Sequence, residues 1–178
     1  MTGDVVIRRP IPGEAEALAR LHIRCWREAY AGIVPAALLA SADLPSRIAA
    51  WQRHVGDPNR IVVAGFDGAE PAGLILAGAN EDEALAGADG HVAALYVAAS
   101  HQRLGLGRRL MGAAARAWLE RGGTSITLGV LAENHNARRF YESLGGRLAR
   151  TGTYAWEGHE LPDAIYVFDN LAVLAAVA

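Results

Sequence analysis

Two glycines and a group of arginines stand where a predicted strand leads into a predicted helix. The stretch LYVAASHQRLGLGRRLMGAAARAWLE, residues 95–120, has Gly105 and Gly107 in its turn and Arg103, Arg108 and Arg109 around it. Glycine lets the backbone approach a ligand closely. The free N–H groups of the first helical turn, with the helix dipole behind them, favour an anion. The turn therefore predicts a pyrophosphate site, and a plain strand-to-helix turn is the alternative.

Two other nucleotide-binding motifs are excluded by the residues of this turn. A Walker P-loop needs a lysine, and all 17 basic residues of the chain are arginines. A dinucleotide-binding fingerprint needs a third glycine, and Leu110 stands at that position. The pattern that remains is Gln102-x-x-Gly105-x-Gly107, in the middle of a mixed sheet.

A second motif follows one predicted strand later, in ENHNARRFYESLGG, residues 133–146, with Asn134, Ala137 and Tyr141 at fixed spacing. A strand ending in Leu-Tyr-Val, then Gln-x-x-Gly-x-Gly, then Asn-x-x-Ala-x-x-x-Tyr resembles the GNAT superfamily of N-acetyltransferases. The segment CWREAYAGIVPAALL, residues 25–39, is similar to the first-helix region of many small GNAT proteins. The resemblance covers nearly the whole chain.

The resemblance implies a GNAT α/β fold and acetyl-CoA as co-substrate. Backbone N–H groups of residues 103–108 would hold the pyrophosphate, and residues 95–97 would pair with the pantetheine arm like an added strand. The N–H of Val97 would polarise the thioester carbonyl, and Asn134 would bind the pantetheine. Leu104 departs from the polar residue that is frequent in the family, but only its backbone is needed. The expected cofactor-binding residues are Leu95, Tyr96, Val97, Gln102, Arg103, Leu104, Gly105, Leu106, Gly107, Arg108, Asn134 and Tyr141.

The resemblance implies a general acid more clearly than a general base. Tyr141 matches the family's acid, which gives a proton to the CoA sulfur; the alternative is a half-buried structural aromatic. His91 is the only titratable residue before Tyr96 in its strand, and histidine can act as a base near neutral pH. Ala93 stands where some relatives carry an acid. An acid of residues 81–83, or no residue at all, is the alternative to His91.

Aromatic residues of the first helix are candidates for the acceptor site. Trp26 and Tyr30 are spaced like a helical stripe, which is typical of core packing, but the resemblance implies that this helix lines the acceptor side. The segment with Tyr154, Trp156, His159 and Glu160 is expected between the last two strands, near the same pocket. The acids Glu81, Asp82, Glu83 and Asp89 could favour a cationic amine or only form a solvated loop. Cys25 is expected in the core, with no covalent acetyl-cysteine step.

The elements that must position these residues alternate between strands and helices. An Asp67-Gly68 turn between two apolar runs predicts a hairpin, and glycines end two helices. The central strands 91–97 and 125–131 should run parallel and splay apart to admit CoA. Strands are expected at 5–8, 60–66, 71–79, 91–97, 125–131, 147–154 and 165–171, and helices at 14–30, after Pro35, at 45–55, 107–120 and 136–144.

The composition sets the broad class. The 178 residues, 52% of them hydrophobic, predict a single N-acetyltransferase domain over 1–178. A net charge of −2 argues against a nucleic-acid binder. No apolar run is long enough for a membrane span, and no signal peptide is evident, so we expect a cytoplasmic protein. The single cysteine excludes an intramolecular disulfide framework and a multi-cysteine metal site; no metal is expected.

The predicted activity is direct transfer of an acetyl group from acetyl-CoA to a primary amine, with a small-molecule acceptor favoured. A protein or peptide N-acetyltransferase is one alternative, and a non-catalytic acyl-CoA-binding module is the other. The intact Tyr141 speaks against the non-catalytic module. The acceptor, the base and the oligomeric state, a homodimer included, are left open by the sequence.

Overall fold

The computed structural model describes residues 4–82, 85 and 87–177. These residues form a mixed α/β domain with short 3-10 turns at Pro12–Glu14 and Ala99–His101. In chain order the elements are β1 (Val6–Arg8), α1 (Ala15–Tyr30), α2 (Ala36–Ala40), α3 (Leu44–Gly56), β2 (Ile61–Asp67), β3 (Glu70–Ala79), β4 (Gly90–Val97), α4 (Leu106–Glu120), β5 (Ile126–Leu131), α5 (His135–Ser143), β6 (Arg147–Trp156), β7 (His159–Phe168) and α6 (Leu171–Ala175).

The strands form one sheet in the order β1-β2-β3-β4-β5-β7-β6. Every pair is antiparallel except the central β4–β5 pair, which is parallel. These two strands are paired only at their first residues, Gly90 with Ile126 and His91 with Thr127. A bulge in β4 leaves Ala93 opposite no residue of β3 and turns the strand further. The predicted splay between the two central strands is confirmed.

The sheet separates two apolar layers. On one face, α4, α5 and α6 cover a core that includes Leu110, Met111 and Tyr166, all at most 1% exposed. On the other face, α1 and α3 cover a core with Leu18 and Trp51. Both faces of β2 and β3 are therefore buried, which explains why these strands are almost continuously apolar.

A carboxylate fastens the paired end of the two central strands. Asp89 accepts hydrogen bonds from the indole of Trp118 at 2.9 Å, from the Thr124 N–H at 2.8 Å and hydroxyl at 2.7 Å, and from the Ser125 N–H at 3.0 Å. Desolvation raises the pKa of this carboxyl, but these hydrogen bonds outweigh it and hold the pKa well below its usual range. The strands are thus held at one end and open only at the other.

Most predicted elements agree with the structure to within two residues, including the hairpin at Asp67-Gly68. The prediction for the last strand is wrong. β7 begins at His159 and ends at Phe168, and residues from Leu171 form the short helix α6. The strand tolerates Pro162 because β5 ends opposite Asp163, so no β5 hydrogen bond needs a donor at residue 162.

The segment expected as a loop between β6 and β7 is also mostly strand. A tight turn at Glu157 and Gly158, with φ of 45° and 80°, joins the two strands directly. Two-residue hairpin turns of this kind need positive φ at both positions, and Glu-Gly signals them less clearly than Asn-Gly does. Tyr154 and Trp156 therefore belong to β6, and His159 and Glu160 to β7.

Candidate active site

The opening between β4 and β5 forms a cavity of about 770 Å³. It extends from the loop before α4, along the exposed edges of both strands, to the C-terminal turn of α1 and the start of α5. Its lining includes most of the expected cofactor-binding residues, namely Leu95, Tyr96, Val97, Gln102, Arg103, Gly105, Gly107, Arg108, Asn134 and Tyr141.

The loop between β4 and α4 has a backbone shape that few residue types allow. Gly105, the residue before the helix, has φ of 84°, and Arg103 has φ of 61°, which is uncommon for a residue with a side chain. The side-chain amide of Gln102 donates to the carbonyl of Val97 at 3.0 Å and ties the loop to the end of β4. The first N–H groups of α4 have no partner within the helix, so this end of the cavity suits an anion.

Gly107 lies where α4 comes close to α5. A Cβ atom there would lie 3.1 Å from Cζ of Phe140, so a larger residue would displace this ring from the cavity wall. Leu104 of the loop and Leu106, the first residue of α4, lie outside the cavity lining. Leu104 is 61% exposed, whereas Leu106 is 3% exposed and anchors the helix in the core. Only backbone groups of these two leucines were expected to bind the pyrophosphate.

Tyr141 reaches the cavity from α5 and is 9% exposed. The helix that carries it is capped by Asn134, whose side-chain oxygen accepts the N–H of Ala137 at 3.2 Å. Burial and the nearby Tyr30 raise the pKa of the Tyr141 phenol. Because the phenol keeps its proton at neutral pH, it can act as a proton donor.

Two further phenols lie on the α1 side of the cavity. Burial raises the pKa of the Tyr30 phenol, although the neighbouring side chains of Tyr96 and Asn134 oppose the shift. Burial, together with Tyr30 and Tyr141, raises the pKa of Tyr96 well above its usual value. From the sequence, only the backbone of Tyr96 was expected to contact a ligand. The alternation of side chains along β4, with Leu95 and Val97 packed on the opposite core, could have placed its ring on this face.

Residues 16–146 match the profile of the acetyltransferase (GNAT) family. This match covers more than half of the chain. The protein belongs to the GNAT acetyltransferase family. A comparison with curated protein sequences finds no match.

Solved structures of other GNAT proteins share the fold. The PaiA N-acetyltransferase of Thermoplasma acidophilum, in complex with coenzyme A, has a TM-score of 0.71 and 16% identity, covering 91% of this chain and 98% of that one. An aminoglycoside 6'-acetyltransferase type Ii has a TM-score of 0.66 and 24% identity, with coverage of 92% and 96%. The ribosomal-protein-S18-alanine N-acetyltransferase of Escherichia coli has a TM-score of 0.63 and 19% identity, covering 92% of both chains.

In this GNAT protein, His91 lies at the paired start of β4 and is not part of the cavity lining. Its Nδ1 is buried and has no hydrogen-bond partner among the described residues. Burial lowers the pKa of the His91 ring, although a backbone hydrogen bond with Thr127 and the charge of Asp82 oppose the shift. The ring is therefore neutral near pH 7, and its role as a base stays a prediction.

The acidic loop contributes no carboxylate to the cavity lining in the part of the chain that the structure describes. Glu83 lies outside the described residues. Glu81 is largely exposed, with its carboxylate 3.7 Å from the guanidinium of Arg60. Asp89 is used in fastening the central strands. One acid that was not predicted from the sequence, Glu28 of α1, does line the cavity.

The two aromatic residues expected at the acceptor site have different positions. Tyr30 lines the cavity, whereas Trp26 lies behind it. The ring of Trp26 is 6.1 Å from that of Tyr30 and 5.0 Å from that of Trp156 on β6. Trp26 therefore joins α1 to the β6–β7 hairpin.

Cys25 is 4% exposed, as expected for a core residue, but it also borders the cavity. Burial, followed by the charge of Glu28, raises the pKa of the Cys25 thiol to about 11. The thiolate is the nucleophilic form of cysteine, so this thiol is poorly suited to attack a thioester at neutral pH.

Proposed function

We propose that this protein transfers the acetyl group of acetyl-CoA directly to a primary amine, with Tyr141 as the general acid. The observation that carries the proposal is that the glycine loop at the N-terminus of α4 and a buried, neutral phenol open into the same cavity between two splayed strands. Family membership supports an acetyl-CoA-dependent reaction.

The residues of the cavity fit acetyl-CoA, which supplies a reactive thioester. The N–H groups of residues 103–108 and the guanidinium groups of Arg103 and Arg108 would hold the pyrophosphate. Pairing between β4 and β5 stops at His91, so the β4 edge that follows is open for the pantetheine amides. The N–H of Val97, near the end of this edge, would polarise the carbonyl.

The chemical step needs a neutral amine and a protonated leaving group. The amine nitrogen forms a bond to the acetyl carbon, the C–S bond breaks, and Tyr141 gives its proton to the departing sulfur. The excess proton on the nitrogen leaves to water or to a base, for which His91 is a candidate only through an intervening water. Cys25, with its raised thiol pKa, takes no part, and the reaction proceeds in a complex of both substrates.

A small-molecule acceptor is the preferred candidate, as it was from the sequence. The contact between Trp26 and Trp156 joins α1 to the β6–β7 hairpin. The aminoglycoside and ribosomal-protein enzymes of the same fold differ in acceptor class. A protein or peptide acceptor and a non-catalytic acyl-CoA-binding module are therefore the competing functions.

The test combines binding with thiol release. Calorimetry should detect saturable acetyl-CoA binding, and a panel of small amines, aminoglycosides and peptides should be screened for release of free CoA thiol. Turnover of small amines with no turnover of peptides supports the proposal. Turnover of peptides alone would favour the protein acetyltransferase, and tight acetyl-CoA binding without thiol release from any acceptor would favour the non-catalytic module.

A further inference from the structure

The two ends of the cavity between β4 and β5 carry opposite charges. At the α4 end the lining includes Arg103 and Arg108, which would hold the pyrophosphate. At the α1 end it includes Glu28, the only carboxylate among the lining residues that the structure describes. An anionic cofactor gives this carboxylate no favourable contact. Glu28 is therefore suited to the other substrate, and its charge favours a cation.

Glu28 has no cation within the protein to balance its charge. Among the described residues its carboxylate makes no ion pair. Arg24 precedes it by four residues, a spacing at which helical side chains can pair, but Arg24 lines a separate groove between α1 and the start of β3. Glu28 also stands in the last turn of α1, where the negative end of the helix dipole disfavours an anion. A bound cation would relieve both disadvantages.

The last turn of α1 forms one wall of the cavity, with room beside it for a ligand. Cys25, Ala29 and Tyr30 line the same cavity as Glu28. The parts of β4 and β5 that line it include Ala93 and Gly129, whose side chains are small. Glu28 is itself exposed, so it can pair with a cation without first losing a protein partner.

The reacting nitrogen is not the group that a carboxylate suits best. A carboxylate beside an amine favours the ammonium form and raises the pKa of the amine, whereas acetyl transfer needs the neutral amine. Burial keeps the phenols of Tyr30, Tyr96 and Tyr141 neutral at the proposed reaction site. A second positive group, which keeps its charge throughout the reaction, is therefore the better partner for Glu28.

We propose that Glu28 binds a second cationic group of the acceptor, so that the protein acetylates amines that carry another positive charge, such as linear diamines. This inference rests on the proposed function and names the acceptor class for it. The reacting amine would enter the site in its neutral form, while the distal ammonium stays paired with Glu28 at the α1 end. Hydrogen bonds between an ammonium and a carboxylate are assisted by both charges.

The acceptor test compares each linear diamine with the amino alcohol of the same length, for example diaminobutane with aminobutanol. The amino alcohol keeps the reacting amine and the chain, but a neutral hydroxyl replaces the second ammonium. We expect a higher kcat/KM for the diamine, and high salt should reduce this preference because it screens exposed charges. A diamine also has two ends that can react, and its second charge lowers the pKa of the first amine. The preference must therefore be compared between the unmodified protein and its variants.

Three variants measure the contribution of Glu28. Glu28→Gln should lower the preference for the diamine by about 5- to 30-fold, between the effect of an exposed ion pair and that of a hydrogen bond to a charged group. Glu28→Asp keeps the charge on a shorter side chain and should keep part of the preference. Glu16→Gln changes an exposed acid of the same helix outside the cavity lining and should behave as the unmodified protein. Acetyl-CoA affinity and Tm should change little in all three.

A binding measurement separates this proposal from the proposed function. Calorimetric titration of the same diamines and amino alcohols into the CoA complex measures cation recognition without turnover. If diamines bind through Glu28 but no thiol is released, the transferase proposal fails and the cation site stands. If no diamine binds or reacts better than its amino alcohol, or if Glu28→Gln keeps the full preference, the cation site is wrong, and thiol release from other amines still supports the transferase.

Discussion

Replacing Gly105 with valine tests whether the loop before α4 binds the pyrophosphate of acetyl-CoA. Gly105 has φ of 84°, and a Cβ built on it meets nothing within 4 Å. The substitution therefore creates no clash inside the protein. It places a side chain at the cavity lining and strains the backbone that orients the first N–H groups of the helix.

Gly122, just after α4, is a matched control. It also has φ of 84° and open space around its Cβ position, but it lies outside the cavity lining. A side chain in this left-handed region costs about 1–2 kcal/mol, which for a chain of this size lowers Tm by roughly 2 to 8 °C. Both Gly105→Val and Gly122→Val should show this loss of stability.

Only the Gly105→Val variant should bind acetyl-CoA more weakly. A hydrogen bond to a charged group is worth about 1.5–3 kcal/mol, so removing one backbone hydrogen bond to the pyrophosphate should raise Kd by roughly 10- to 100-fold. Isothermal titration with acetyl-CoA, beside thermal melts without ligand, measures both effects. Equal acetyl-CoA affinity in the two variants would show that this loop does not bind the pyrophosphate.

Other predictions concern single side chains. Tyr141→Phe should lower kcat by tens- to thousands-fold, the range of general-acid catalysis, with little change in acetyl-CoA affinity or Tm. Tyr154→Phe, which changes an exposed tyrosine, is the control. Full activity in the folded Tyr141→Phe variant would exclude the acid role. Burial, then Arg47 and His54, lowers the pKa of His22 to about 3, from about 6.5 in an unfolded chain. The unfolded state therefore binds the proton first, and stability should fall below pH 6.5, by about 2 kcal/mol at pH 5. His22→Gln should lessen this loss in urea unfolding at pH 7 and pH 5, and an unchanged pH dependence would contradict the burial argument. Cys25→Ala should keep activity. The intact mass of the unmodified protein should not change after incubation with acetyl-CoA alone. A stoichiometric acetyl group on Cys25 would refute direct transfer.

The fold and the glycine loop before α4 were predictable because their signals are contiguous in the sequence. A strand, a glycine turn and a helix follow one another in residues 95–120, and turn chemistry marks the hairpin at Asp67-Gly68. The end of the chain was less predictable. A proline is unusual inside a strand, so Pro162 argued against a strand over the first half of β7. The short helix α6 has too few residues to show a helical period.

The acceptor side was less predictable because its residues come from separate elements. Trp51 of α3, His22 of α1 and Tyr96 of β4 meet only when both helices pack on the sheet. No spacing in the sequence links these three residues. Glu28 was likewise missed because a single acid on an amphipathic helix is usually solvent-exposed, and only the packing of α1 brings it to the cavity.

Charge is confined to the edges of the proposed reaction site. Burial raises the pKa of Tyr30, Tyr96 and Tyr141, so all three phenols are neutral at pH 7 and donate hydrogen bonds without adding charge. The positive charges of the cavity lining, Arg103 and Arg108, lie at the α4 loop, where the anionic pyrophosphate would bind. The departing thiolate would be a new negative charge at the reaction site, and a buried anion without a proton donor is costly. Under the proposed mechanism, this cost is the physical reason for a buried phenol beside the sulfur.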